Sequence, residues 1–145
     1  MEDINAIQEE IIEEFELLAS DREATIFYIM ELGAKLPKLA EEHYVDGNLI
    51  KGCQSKVWLT TSFEDGKVIF QADSNTEVTK GLISLLIRVL SNQKPDAIIE
   101  ANLDFINKIG MSQVIGSQRS NGFAAMIKQM KMFALAYKSK ISVNQ

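Results

Sequence analysis

A chain of 145 residues with 46% hydrophobic content is long enough to bury one core, and with eight Gly, two Pro and no low-complexity stretch it offers no linker at which to divide it. Twenty acidic against fifteen basic residues give a net charge of -5, a field that repels phosphate backbones and argues against nucleic acid as a partner. The most apolar stretch, residues 82–90, contains Ser84 and Arg88 and falls far short of the ~20 residues of a membrane span, so no membrane association is expected.

Residues 1–145 are therefore read as a single domain. The first ten residues carry acidic side chains and no basic one, the reverse of a targeting segment, and one cysteine cannot form an internal disulfide. Both point to the cytosol.

Ile4, Ile7, Ile11, Phe15 and Leu18 recur at spacings of three and four, which predicts an amphipathic helix ending near Ala19. Ser20 followed by Glu23 has the form of a capping box, predicting a second, largely buried helix over 24–36 that Pro37 ends. A short strand is expected around Asn48 to Ile50. Alternation over 56–63 predicts another, with Val57, Leu59, Thr61 and Phe63 on one face, and Trp58 is read as a core anchor within it. Asp65-Gly66 is a tight-turn signal, so 68–72 is the returning strand of a hairpin. Ser74 with Glu77 predicts the cap of a third helix, whose apolar stripe is Val78, Leu82, Leu85, Leu86 and Val89 and which ends near Ser91. Pro95 suits the first residue of a short helix, and residues 103–109 suit another, capped by Gly110. Beyond a polar turn at 117–120, Phe123, Met126, Ile127, Met130, Phe133, Ala134 and Tyr137 line one face of a last helix. The Met residues on that face are read as core packing. These elements describe an α+β domain, with several helices packed on a small antiparallel sheet of about three strands.

Chemistry centres on Cys53, the only cysteine. A free cysteine often behaves as a small buried hydrophobe. Here Lys51-Gly52-Cys53-Gln54-Ser55 sets the thiol beside a Gly, among polar groups and just before a strand, where loops carry reactive groups. A nearby Lys such as Lys51 can favour the thiolate. Cys53 and His43 together cannot furnish the four Cys or His ligands of structural zinc, so no metal site is expected. Nor can one thiol hold a whole iron–sulfur cluster or act as a dithiol oxidoreductase. Three readings remain: one-thiol exchange between proteins, a Cys53/His43 thiol hydrolase, and a non-catalytic binding module with an inert Cys53.

Four blocks, DREATIFYIMELGAKLP at 21–37, GCQSKVW at 52–58, ADSNTEVTKGL at 72–82 and SQRSNGFAAM at 117–126, resemble the SufE family in sequence and in order. The resemblance implies a SufE/NifU-like fold. It implies a sulfur acceptor that takes persulfide sulfur from a SufS-type cysteine desulfurase, enhances its turnover, passes sulfur to a SufB-containing scaffold, and needs no cofactor of its own. Cys53 matches the sulfur-accepting cysteine. Arg119 and Asp73 are implied to face the partner, although Asp73 also suits a helix start on an exposed polar turn. Lys51, Gln54 and Ser55 belong with them around the loop, where Gln54 and Ser55 either satisfy backbone groups or hydrogen-bond the sulfur in transfer. The sequence departs from the pattern at Gln118, where the family often has Pro, and at Asn75, where an Asp is common. The Cys53 loop is expected to tuck its thiol against apolar neighbours and to turn outward on partner binding.

Overall fold

A computed structural model describes the backbone of residues 3–144 and the side chains of residues 3–141. The first helix, α1 (Ile4–Glu16), starts at Asp3, whose carboxylate accepts the Ala6 N–H at 2.8 Å. It buries Ile4, Ile7, Ile11, Ile12 and Phe15. The turn that follows places Ala19 and Ser20 at positive φ (50° and 61°), so α1 stops at Glu16, earlier than its apolar spacing predicts. That conformation also displaces the expected cap, because an N-cap needs extended backbone. Asp21, at φ -70° and ψ 114°, takes the role and accepts the Ala24 N–H at 3.0 Å.

Helix α2 (Arg22–Ala34) packs on α3 (Glu77–Leu90) with backbones in close approach. A Cβ on Gly81 would meet the Ile29 carbonyl oxygen at 2.0 Å, so this crossing requires glycine. Two short 3-10 turns, Glu41–His43 and Asp46–Asn48, lead to the hairpin of β1 (Val57–Glu64) and β2 (Lys67–Ser74). Asp65 and Gly66 both have positive φ (53° and 78°), the backbone of a type I′ connection that matches strand twist. The register sets Trp58 opposite Asp73 and Val57 opposite Ser74.

The sheet has two strands rather than about three. Residues 46–48 turn instead of extending, and Leu49 contributes only an isolated bridge to Trp58 before Gly52 (φ 94°) bends the chain away. Ser74 closes β2, so it does not cap α3; Thr76 stands at that position, without a side-chain cap bond. Helix α3 buries Leu82, Ile83, Leu85, Leu86, Val89 and Leu90, each such side chain stabilising by about 1.5–3 kcal/mol.

Pro95 opens α4 (Pro95–Glu100), whose end is held by Lys131, its ammonium donating to the carbonyls of Ile99 and Ala101 at 3.4 and 2.6 Å. Helix α5 (Phe105–Lys108) is shorter than predicted, and Gly110 follows it at φ 67°. The long α6 (Met111–Asn144) is broken at Gly116 (φ 83°, ψ 172°). Residues 117–120 are consequently helical and not a turn, because the break is taken up at Gly116, which tolerates positive φ. Phe123, Met126, Met130 and Ala134 face the core. Among the described residues no helix is long and apolar enough to cross a membrane.

Candidate functional site

Residues 51–56 form a loop between Ile50 and β1, and it is held at both ends. At its base the Ile50 N–H donates to the Val57 carbonyl at 2.9 Å. At its far end the Lys56 N–H donates to Asn75 Oδ1 at 3.0 Å, and the Asn75 N–H returns to the Lys56 carbonyl at 3.2 Å. Asn75 thus stitches the loop to the turn before α3, a role that its amide oxygen suits.

The apex rests on α6. A Cβ built on Gly52 would lie 3.2 Å from the Ala125 methyl, and Cys53 Sγ donates to the Gly122 carbonyl at 3.5 Å. Gly122 is buried under the cysteine, with its own missing Cβ directed 3.5 Å from Sγ. The thiol is half-buried and packs against the core. Burial pushes the Cys53 thiol up, because desolvation penalises the thiolate. Lys51 is exposed and does not line the cleft, and desolvation is what moves the Cys53 thiol.

Cys53 opens on a cleft of about 700 Å³. Gln54, Ser55 and Arg119 line it with Cys53, as do Met30, Leu82 and Met126 on its apolar side. Ser55 Oγ accepts the Thr76 hydroxyl at 2.8 Å and the Thr79 hydroxyl at 3.2 Å. Arg119 is exposed, its Nη1 donating to the Ile115 carbonyl at 3.5 Å across the Gly116 break.

Asp73 lies elsewhere. It is only 7% exposed, and its carboxylate accepts the Tyr44 hydroxyl and the Ser74 N–H and pairs with Lys80 at 3.2 Å. Burial by itself would raise the Asp73 carboxyl, but Tyr44, Ser74 and Lys80 outweigh it and hold the group below its ordinary value. The expectation of an exposed polar turn at Asp73 is therefore corrected: its contacts are those of a packing centre. Tyr44 is pushed up mainly by donating to Asp73, and its ring meets Trp58 edge-on at 5.1 Å. The expectation of a core anchor at Trp58 is therefore corrected: Trp58 is half-buried on the strand face away from Val57 and Leu59 and packs on Tyr44, not in the core.

The fold thus brings Cys53, Gln54, Ser55 and Arg119 to one cleft and leaves Lys51, Asp73 and His43 outside its lining. His43 ends a 3-10 turn, and its backbone carbonyl accepts the Asn48 amide at 2.9 Å. Cleft residues with no role assigned from sequence include Ile115 and Gly116, which lie outside the recognisable blocks, and Thr76, Thr79 and Gly122. For Thr76, Thr79 and Gly122 their place inside those blocks was the only signal available. Among the described residues no three His, Cys, Asp or Glu side chains converge as a metal site.

The SufE family model, described as an Fe-S metabolism associated domain, matches residues 9–134. An uncharacterized SufE-like protein of Synechocystis sp. is 39% identical over 105 residues, which cover 72% of this chain and 66% of that protein. Uncharacterized SufE-like proteins of Rhizobium meliloti and Rhizobium etli are 32% and 34% identical over 128 residues, or 85% of this chain and 91% and 86% of theirs. The solution structure of a hypothetical protein from Thermus thermophilus shares the fold. It superposes with a TM-score of 0.75 over 92% of this chain and 96% of that one, at 20% identity.

Proposed function

This chain belongs to the SufE family, a domain associated with Fe-S metabolism, and from that premise we propose that Cys53 receives sulfur as a persulfide from a SufS-type cysteine desulfurase. The observation that carries the reading is the half-buried Cys53 thiol at the apex of a loop, open to a cleft that also holds Arg119. A protein that must both shield and surrender a reactive sulfur needs this combination.

Transfer begins when the Cys53 thiol loses its proton to water or to a base of the partner. The thiolate attacks the outer sulfur of the donor persulfide; the new bond joins Cys53 Sγ to that sulfur, and the donor's sulfur–sulfur bond breaks. The donor cysteine leaves as a thiolate. No net oxidation occurs, and pyridoxal phosphate belongs to the desulfurase that extracts sulfur from free cysteine.

Because burial keeps the thiol protonated in its seat, docking accelerates the step by turning Cys53 outward and aligning the two sulfurs. Acceptance frees the desulfurase thiol for another turnover, which is how this protein would stimulate its partner in the cytosol. Delivery to a SufB-containing scaffold is the same exchange run onto a further thiol. Arg119, a rigid fork on the cleft rim, suits a carboxylate of the docked protein. The hydrolase alternative is disfavoured because His43 is not among the residues that line the cleft with Cys53.

Incubation with a cysteine desulfurase and cysteine, followed by mass spectrometry under non-reducing conditions, tests the reading. One added sulfur atom on the peptide containing Cys53 is expected, and its absence would sink the proposal.

A further inference from the structure

We infer that Thr76 and Thr79 hold the Ser55 hydroxyl as a hydrogen-bond donor to the sulfur carried on Cys53, an assignment that rests on the persulfide reading above.

A hydroxyl oxygen has two lone pairs and one proton. Ser55 Oγ accepts from Thr76 at 2.8 Å and from Thr79 at 3.2 Å, so both of its acceptor positions are occupied. Its own proton has no acceptor among the described residues. In this arrangement the Ser55 proton is the group left to donate, and the two incoming bonds polarise its O–H further. Thr79, just 6% exposed and fixed on α3, anchors the buried side of this arrangement, while Thr76 approaches from the exposed side.

Ser55 lines the cleft with Cys53, two residues along the same loop. There the needs of thiol and persulfide differ. The resting S–H finds an acceptor in the Gly122 carbonyl at 3.5 Å. Once the outer sulfur has been transferred, the inner sulfur carries no proton, and the outer sulfur becomes an anion when its proton passes to water. A carbonyl oxygen repels that anion, whereas a committed hydroxyl donor stabilises it. The loaded sulfur accordingly turns from Gly122 toward Ser55. Thr76 and Thr79 act through Ser55 as positioning residues.

The test uses the full chain, loaded by a cysteine desulfurase and cysteine, with the persulfide alkylated by iodoacetamide across a pH series. Loss of a donor to an anion raises the anion's pKa. Ser55→Ala is expected to raise the midpoint of persulfide alkylation by about one pH unit. It should also slow sulfur acceptance about tenfold. Ser55→Thr, which keeps a hydroxyl, should restore the midpoint. Thr79→Val should raise it by a smaller amount, and Thr79→Ser should not. A wild-type midpoint in Ser55→Ala overturns the inference, even if that variant is less stable, because a purely structural role leaves the titration unmoved. If the wild-type chain takes up no sulfur, the persulfide reading itself has failed, a result visible before any variant is compared.

Discussion

Cys53 Sγ donates to the carbonyl oxygen of Gly122, 3.5 Å away on α6, so the thiol is engaged as a donor in its resting position. A thiolate cannot make that bond. The contact and the burial around it both favour the protonated form, which predicts that the reactivity of Cys53 depends on whether its loop lies on α6.

Replacement of Cys53 by Ser keeps a donor of similar size at Gly122 and removes the sulfur nucleophile. Cys53→Ser should unfold within about 1 kcal/mol of wild type. It should acquire no sulfur from a desulfurase. Denaturation curves and intact-mass measurement check the two halves separately, and sulfur uptake by the variant would place the acceptor elsewhere.

Titration of the free thiol follows from its burial. Alkylation of Cys53 by a small reagent should show a midpoint above that of an unfolded cysteine peptide, since the fold favours the neutral form. The linked stability is present below the unfolded pKa and lost as pH rises through the higher folded value. Addition of a desulfurase whose nucleophilic cysteine has been replaced should lower the midpoint and speed labelling. An unshifted midpoint in both states would separate burial from reactivity.

The absence of a side chain at Gly122 determines what the loop can rest on. Gly122→Ala would bring a methyl to 3.5 Å from Sγ, an ordinary contact, and helix propensity would add up to about 1 kcal/mol of stability. Gly122→Leu has no such room and should displace Cys53 toward solvent, raising its alkylation rate and the hydrogen exchange of loop amides. Equal labelling of the Leu variant and wild type would show that α6 does not seat the thiol.

Asp73 is itself buried and contributes through the hydrogen bond from Tyr44 and the ion pair with Lys80. Asp73→Asn leaves Tyr44 and Lys80 without a carboxylate and should cost about 1–3 kcal/mol at neutral pH. The folded carboxyl lies below its ordinary value, so the stability it contributes is present above the unfolded pKa and is lost as pH falls through the folded one. Urea unfolding midpoints of variant and wild type should therefore converge in acid. A constant gap across the series would assign the loss to packing rather than charge.

Arg119 and His43 separate docking from chemistry. Arg119→Ala should weaken desulfurase binding about tenfold, equivalent to roughly 1.4 kcal/mol, with alkylation of free Cys53 unaltered. His43→Ala should change neither binding nor sulfur uptake. Calorimetric titration alongside the loading assay distinguishes these outcomes, and loss of uptake in the His43 variant would revive the hydrolase-like pairing.

Residue order by itself determined the elements whose causes are local. Asp65-Gly66 carries its hairpin because these residue types tolerate positive φ, Pro95 opens its helix because its φ is already helical, and the stripe of α3 follows from 3.6-residue spacing. The same local rules placed Cys53 on a polar loop before a strand. They misassigned the cap at Ser20, a third strand near Asn48 and the turn at 117–120, each a site where more than one short pattern was locally possible. Only the tertiary structure decided what meets the sulfur. The Gly122 carbonyl lies 69 residues from Cys53 in sequence, the Thr76 and Thr79 hydroxyls lie 21 and 24 from Ser55, and Tyr44 lies 29 from the buried Asp73. Such contacts carry no periodicity, because they depend on how α3 and α6 pack over the shared core and on which backbone and hydroxyl groups that packing leaves beside the Cys53 loop.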